Sequence, residues 1–171
     1  FQWRDPPHPF VQRLVPSSNG ITVFHSPAAG VLHALVADHV VQGRVVFPGA
    51  GYLEVARAAG ATALHGVYFL QPLAAEAPGL LVECAVSNGR FEVRTREYGA
   101  FGDATVTVHC SGAMATDDGW QRIEHASLRT LSRAADVAAL YDGFDAVGLQ
   151  YGPGYRTLIK TWGGTSHALA R

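Results

Sequence analysis

Cysteine is nearly missing from this sequence: its 171 residues include only Cys84 and Cys110. With no CxxC pair and none of the dense spacing of a secreted disulfide scaffold, the two read as reduced, buried thiols in the cytoplasm. Long apolar runs are lacking as well, since nowhere do eighteen uncharged apolar residues follow one another, so no membrane span is expected. Residues 1–10 hold three prolines and no basic stretch leading into an apolar one. They read as an extended linker rather than a signal peptide, because proline fixes φ and removes a backbone donor. An excess of either charge is also wanting: 13 basic against 14 acidic side chains leave a formal charge of -1. That balance creates no field to hold a phosphate backbone or an anionic surface, so neither nucleic acid nor a membrane is expected as a partner. The histidines show no HxH or HExxH spacing and no cysteine neighbours, which excludes the usual metal patterns. His8, His25, His33, His65, His109, His125 and His167 read as solvated or structural. The glycines of 148–154 lack the Lys-Ser/Thr that would complete a phosphate loop.

What is present is a folded chain, with 48% apolar and 16% charged residues and a length suited to one compact unit over 11–171. Short β-type runs at 11–15, 21–24, 31–36 and 44–47 are separated by Ser-Ser-Asn-Gly and Ser-Pro-Ala-Ala-Gly turn signals. Residues 52–64 then carry apolar groups nearly all round a helix, which predicts a buried, alanine-rich helix that a sheet can approach closely. Further strands are expected at 67–70, 80–87, 90–97 and 104–114. Ser87-Asn88-Gly89 makes a hairpin turn, since Asn-Gly tolerates positive φ. Ser132 reads as the N-cap of an amphipathic helix whose stripe is Val137, Leu140, Tyr141 and Phe144, and 158–162 with 166–170 reads as a closing hairpin. One buried helix among antiparallel strands predicts an α+β hotdog fold, a sheet wrapped around a central helix.

His39 follows an apolar run and precedes the alanine-rich helix. An imidazole in such an apolar cleft is expected to act as a proton acceptor, a general base beside a carbonyl. A carbonyl oxygen that gathers charge as a proton leaves beside it needs fixed donors, and helix N-termini supply them. Gly49, Ala50 and Gly51 stand at that helix start, small enough for their amides to face a carbonyl oxygen.

His39, Gly43 and Pro48 form a His-x3-Gly-x4-Pro pattern, continued by Gly-Ala-Gly-Tyr-Leu-Glu-Val-Ala, and Gly148-Leu149-Gln150-Tyr151-Gly152-Pro153-Gly154-Tyr155 follows about a hundred residues later. Both stretches resemble the motifs of polyketide synthase dehydratase domains, the second with Tyr155 where that family has Phe. The resemblance implies a double hotdog, of which this chain is the first half. His39 would be the base, and an aspartate on the absent second hotdog the acid. It implies an acyl carrier protein domain as partner, bearing the substrate on its phosphopantetheine arm, with no cofactor and a homodimer within a cytoplasmic megasynthase. Gly43, Pro48, Tyr151, Gly152 and Pro153 would support the pocket. Asp38 to Gln42 and Asp117 to Gln121 match the letters of the second hotdog's Asp-x3-Gln, but one overlaps the histidine motif and the other lies in a polar turn. The implied reaction is dehydration of a 3-hydroxyacyl thioester. Pyran cyclisation, double-bond shift, product templating and a noncatalytic structural or dimerisation role remain open beside it.

Overall fold

The computed structural model describes residues 8–16, 20–76, 79–98, 104–115, 124–130, 132–165 and 167–171. The chain runs β1 (Arg13–Val15), β2 (Thr22–Pro27), α1 (Val31–Val36), β3 (His39–Val41), β4 (Arg44–Val45), α2 (Gly49–Ala58) and β5 (Ala63–Phe69). It continues through β6 (Leu81–Ser87), β7 (Arg90–Tyr98), β8 (Ala104–Ala115), α3 (His125–Thr130), β9 (Arg133–Ala135), α4 (Val137–Ala146), β10 (Leu149–Tyr151), β11 (Thr161–Gly163) and β12 (Ala168–Ala170). Most of the expected 1–10 linker, and the Asp117 to Gln121 lettering, lie outside the described residues. Contacts divide the chain into two units where length had led to the expectation of one. Phe1–Val36 and Val45–Asp118 form the first, Ala37–Arg44 and Gly119–Arg171 the second.

The first unit is the hotdog. Its six-stranded antiparallel sheet has the order β1-β2-β6-β7-β8-β5, with α2 packed against β5 and β7. Consecutive pairing of β6, β7 and β8 is the expected meander. Asn88 at φ 49° and Gly89 at φ 68° make its first turn, the pair of positive φ values that matches strand twist. Along β7, Phe91 and Val93 are wholly buried while Glu92 between them is exposed, the period-two alternation of a sheet with one apolar face. The core joins these to Val82, Cys84 and Cys110 from the sheet and to Tyr52, Val55 and Ala56 from α2.

Helix α2 departs from expectation in two ways. It stops at Ala58 rather than running to residue 64, because Gly60 takes φ 113° and Ala61 N–H reaches back to the Ala56 carbonyl, closing the helix while the chain turns into β5. Only one of its faces is buried: Gly51, Tyr52, Val55 and Ala56 point into the core, whereas Ala50, Leu53 and Arg57 are exposed. Residues 31–36, expected as a strand, form α1 instead. Leu32 and Val36, four apart, are wholly buried and Val31 and Leu35 are exposed, so helical period decides what an apolar run of six left ambiguous.

In the second unit β3 pairs antiparallel with β10, and β11 lies between β9 and β12. The closing hairpin is present, shorter than expected. Helix α4 begins at Val137 with Asp136, not Ser132, as its cap. The Asp136 carboxylate accepts from the amides of Ala138 (2.8 Å) and Ala139 (3.4 Å), while Ser132 Oγ is engaged with His167 Nε2 at 2.8 Å. The expected stripe is the sheltered one: Tyr141 is buried and Val137, Leu140 and Phe144 are half-buried.

Candidate active site

The histidine end of the first motif, His39 to Gly43, meets the second motif in the second unit. His39, Val40 and Val41 of β3 face Tyr151, Gln150 and Leu149 of β10 in antiparallel register, so His39 stands directly opposite Tyr151. The pairing runs on past both strands. Gly152 N–H donates to the Asp38 carbonyl at 2.8 Å, and Gln42 N–H to the Gly148 carbonyl at 2.7 Å. Beyond them Gln42 (φ 50°) and Gly43 (φ 77°) turn the chain, and the Gly43 amide donates to Gln150 Oε1 at 2.8 Å. Gly43 therefore serves the turn: a side chain would have open space there, but positive φ disfavours one.

Three aromatic rings surround this ladder. The half-buried His39 ring stacks on Tyr151, centroids 5.4 Å apart and planes 29° apart, and lies 5.3 Å from Tyr155. Phe144 of α4 meets Tyr151 edge-on at 5.8 Å. Pro153 opens the short 3-10 turn Pro153–Tyr155, where its missing amide leaves no donor orphaned. Burial, then the charge of Asp38, raises the Tyr155 phenol above its ordinary range, so it stays protonated at neutral pH. Tyr141 ties the turn to α4. Its hydroxyl donates to the Tyr155 carbonyl at 3.4 Å and accepts from the Leu158 amide at 3.1 Å. Strand pairing and the stacked Tyr151 ring, with Tyr155 tilted beside it, thus restrict the imidazole.

Pro48, Gly49, Ala50 and Gly51 lie in the first unit, so the His-x3-Gly-x4-Pro motif is shared between the two. Pro48 is the buried N-cap residue of α2, and Gly51 N–H donates to its carbonyl at 2.9 Å. The Gly51 amide is thus already committed, which narrows the expected carbonyl donors to Gly49 and Ala50, both exposed at the helix start. Gly51 is glycine for packing: a Cβ would lie 2.7 Å from the Phe47 ring. Sequence reasoning did not foresee Asp38 holding the Gly154 amide, Gln150 accepting from Gly43 or Phe144 packing on Tyr151. The two glycines around Pro153 were the available signal, since a missing Cβ marks a close approach.

A family model described as the polyketide synthase dehydratase domain matches residues 8–110. The chain is 33% identical over 153 residues to the polyketide synthase ThaG of Burkholderia thailandensis, covering 80% of this chain and 3% of that protein. It is 29% identical over 159 residues to the polyketide synthase GfsE of Streptomyces halstedii, covering 82% of this chain and 4% of that one. The solved dehydratase domain from the CurK module of the curacin polyketide synthase superposes with a TM-score of 0.78 at 22% identity, over 95% of this chain and 62% of that domain. The chain therefore spans a small part of the curated relatives and about three fifths of the solved domain.

Proposed function

The chain belongs to the polyketide synthase dehydratase family, and from that premise we propose that it supplies the base for dehydrating a 3-hydroxyacyl thioester carried on the phosphopantetheine arm of an acyl carrier domain. His39 takes the proton from the carbon next to the thioester carbonyl. The electrons form the new double bond, and the hydroxyl leaves as water on receiving a proton from an aspartate in the second hotdog, outside this chain. The first-turn amides of Gly49 and Ala50 are the donors this reading assigns to the carbonyl oxygen as charge develops on it. No cofactor enters this chemistry.

The observation that carries the proposal is the register placing His39 opposite Tyr151, which brings the two family motifs to one imidazole. Two variants of the CurK dehydratase add support: one with histidine replaced by phenylalanine and one with aspartate replaced by asparagine are each described as inactive. A general acid contributes about 10²- to 10⁴-fold, so the chain without its second hotdog is expected to be nearly inactive.

The test is an assay of the longer domain that carries this chain, beside its His39→Ala variant, with mass spectrometry following loss of water from a carrier-bound 3-hydroxyacyl thioester. Water loss that disappears with His39→Ala is the expected result. A folded domain that releases no water, or that closes a ring instead, overturns the proposal.

A further inference from the structure

We propose that Asp38 is a positioning residue that clamps Gly152-Pro153-Gly154, so that Tyr151 and Tyr155 hold the His39 ring in its working orientation. This rests on the role proposed above for His39 and adds the residue that sets the imidazole.

Asp38 holds the turn at two points. Its carbonyl accepts from Gly152 N–H at 2.8 Å and its Oδ2 accepts from Gly154 N–H at 2.7 Å. The same contact explains the Gly-Pro-Gly sequence. A Cβ on Gly152 would collide with the Asp38 carboxylate and lie 2.8 Å from its Cβ, and a Cβ on Gly154 would lie 2.9 Å from Oδ2. Asp38 fills the space that the two glycines leave.

The rings are attached to this clamp on either side. Tyr151 precedes the turn and Tyr155 ends it, and their centroids lie 5.4 and 5.3 Å from that of His39. Asp38 is the residue before His39 in the chain. One side chain thus ties the strand bearing the imidazole to the segment bearing its two aromatic walls. Its matching of Asp-x3-Gln letters has a different meaning from an acid, because its carboxylate is bound to an amide of this unit. A base must lie within hydrogen-bond reach of the proton it removes, and a misplacement of about 1 Å costs on the order of 10²-fold in rate.

The experiment compares Asp38→Ala, Asp38→Asn and Gly152→Ala in the longer domain carrying this chain. It reads kcat and KM for a 3-hydroxyacyl thioester, and the ring signals of isotope-labelled histidine by NMR, with His39 assigned from its loss in His39→Gln. Asp38→Ala and Gly152→Ala are expected to lower kcat about 10- to 100-fold with KM changed far less. Both should shift the His39 ring protons downfield as shielding by the tyrosine rings fades, with the dispersion of the sheet amides retained. Asp38→Asn still offers an oxygen to Gly154 N–H and should stay within roughly fivefold of the parent, its His39 signals in place. If Asp38→Ala does not fold, the other two variants decide. Unmoved His39 signals in Asp38→Ala and Gly152→Ala overturn the proposal, as does an Asp38→Asn loss equal to that of Asp38→Ala with the signals unmoved. A parent domain that releases no water defeats the function proposed for His39, while the ring signals still decide the clamp.

Discussion

Replacing Glu83 by glutamine should unfold the hotdog unit more readily than any surface change, through a network whose cost can be worked out. Glu83 lies at the centre of the sheet on β6, wholly buried, with its carboxylate shared among three partners. Arg94 Nε donates at 2.9 Å, Arg96 Nε at 2.6 Å, and His25 Nε2 lies 2.9 Å away. Burial alone would raise the carboxyl, but the hydrogen bonds from Arg96 and Arg94 outweigh it and hold the group below its ordinary 4.5. Breaking a buried pair costs about 3–5 kcal/mol. Arg94 and Arg96 are 22% and 26% exposed and can rehydrate, which places Glu83→Gln near the lower end, about 3 kcal/mol. For a chain of this size that is a fall in Tm of roughly 6–12 °C. The pH dependence has a definite sign. The unfolded carboxyl takes its proton near 4.5 and the folded one only at lower pH, so the contribution is complete above that value and is lost as pH falls through the folded pKa. Denaturant unfolding of the two proteins from pH 7 downward, with Arg96→Gln to close a double-mutant cycle, is the assay. A difference below about 1 kcal/mol at pH 7, or one that stays constant as the carboxylate protonates, would refute the reasoning.

Two further outcomes follow from packing and burial. Gly51→Ala drives a Cβ to 2.7 Å from a Phe47 ring that is 2% exposed, so overpacking of about 1–3 kcal/mol is expected. Gly49→Ala meets only Phe69 at 3.7 Å and should be neutral or stabilising; the opposite order in denaturant midpoints would count against the packing. Burial pushes the Cys84 and Cys110 thiols up to about 12 and about 11. Neither should react with a chromogenic disulfide at pH 8 until guanidinium unfolds the chain, and labelling of either in the native protein would contradict its burial.

Much of the strand order could be read locally. The Asn88-Gly89 turn and the alternation through Phe91 and Val93 state the β6–β7 hairpin without reference to distant residues. The helix at 52–64 was legible as a helix but not in its bounds. Its end depends on Gly60 adopting positive φ, and its one-sided burial on which neighbours cover it. Residues 31–36 were misread because β-branched and apolar residues over six positions suit a strand as well as a helix. The buried pair Leu32 and Val36 settles the matter only once a core exists. Ser132 and Asp136 are both good caps by type, and Ser132 was already engaged with His167.

The sequence by itself determined the family, the α+β class, the meander and the candidate base, because motif letters, positive-φ turns and apolar period act over a few residues. The tertiary structure alone decided that Asp38, 116 residues from Gly154, holds that amide. It alone decided that Glu83 is buried among cations, and that the chain forms two compact units. Those facts depend on which distant side chains share a volume, and free energies of that kind arise only when the chain has closed on itself.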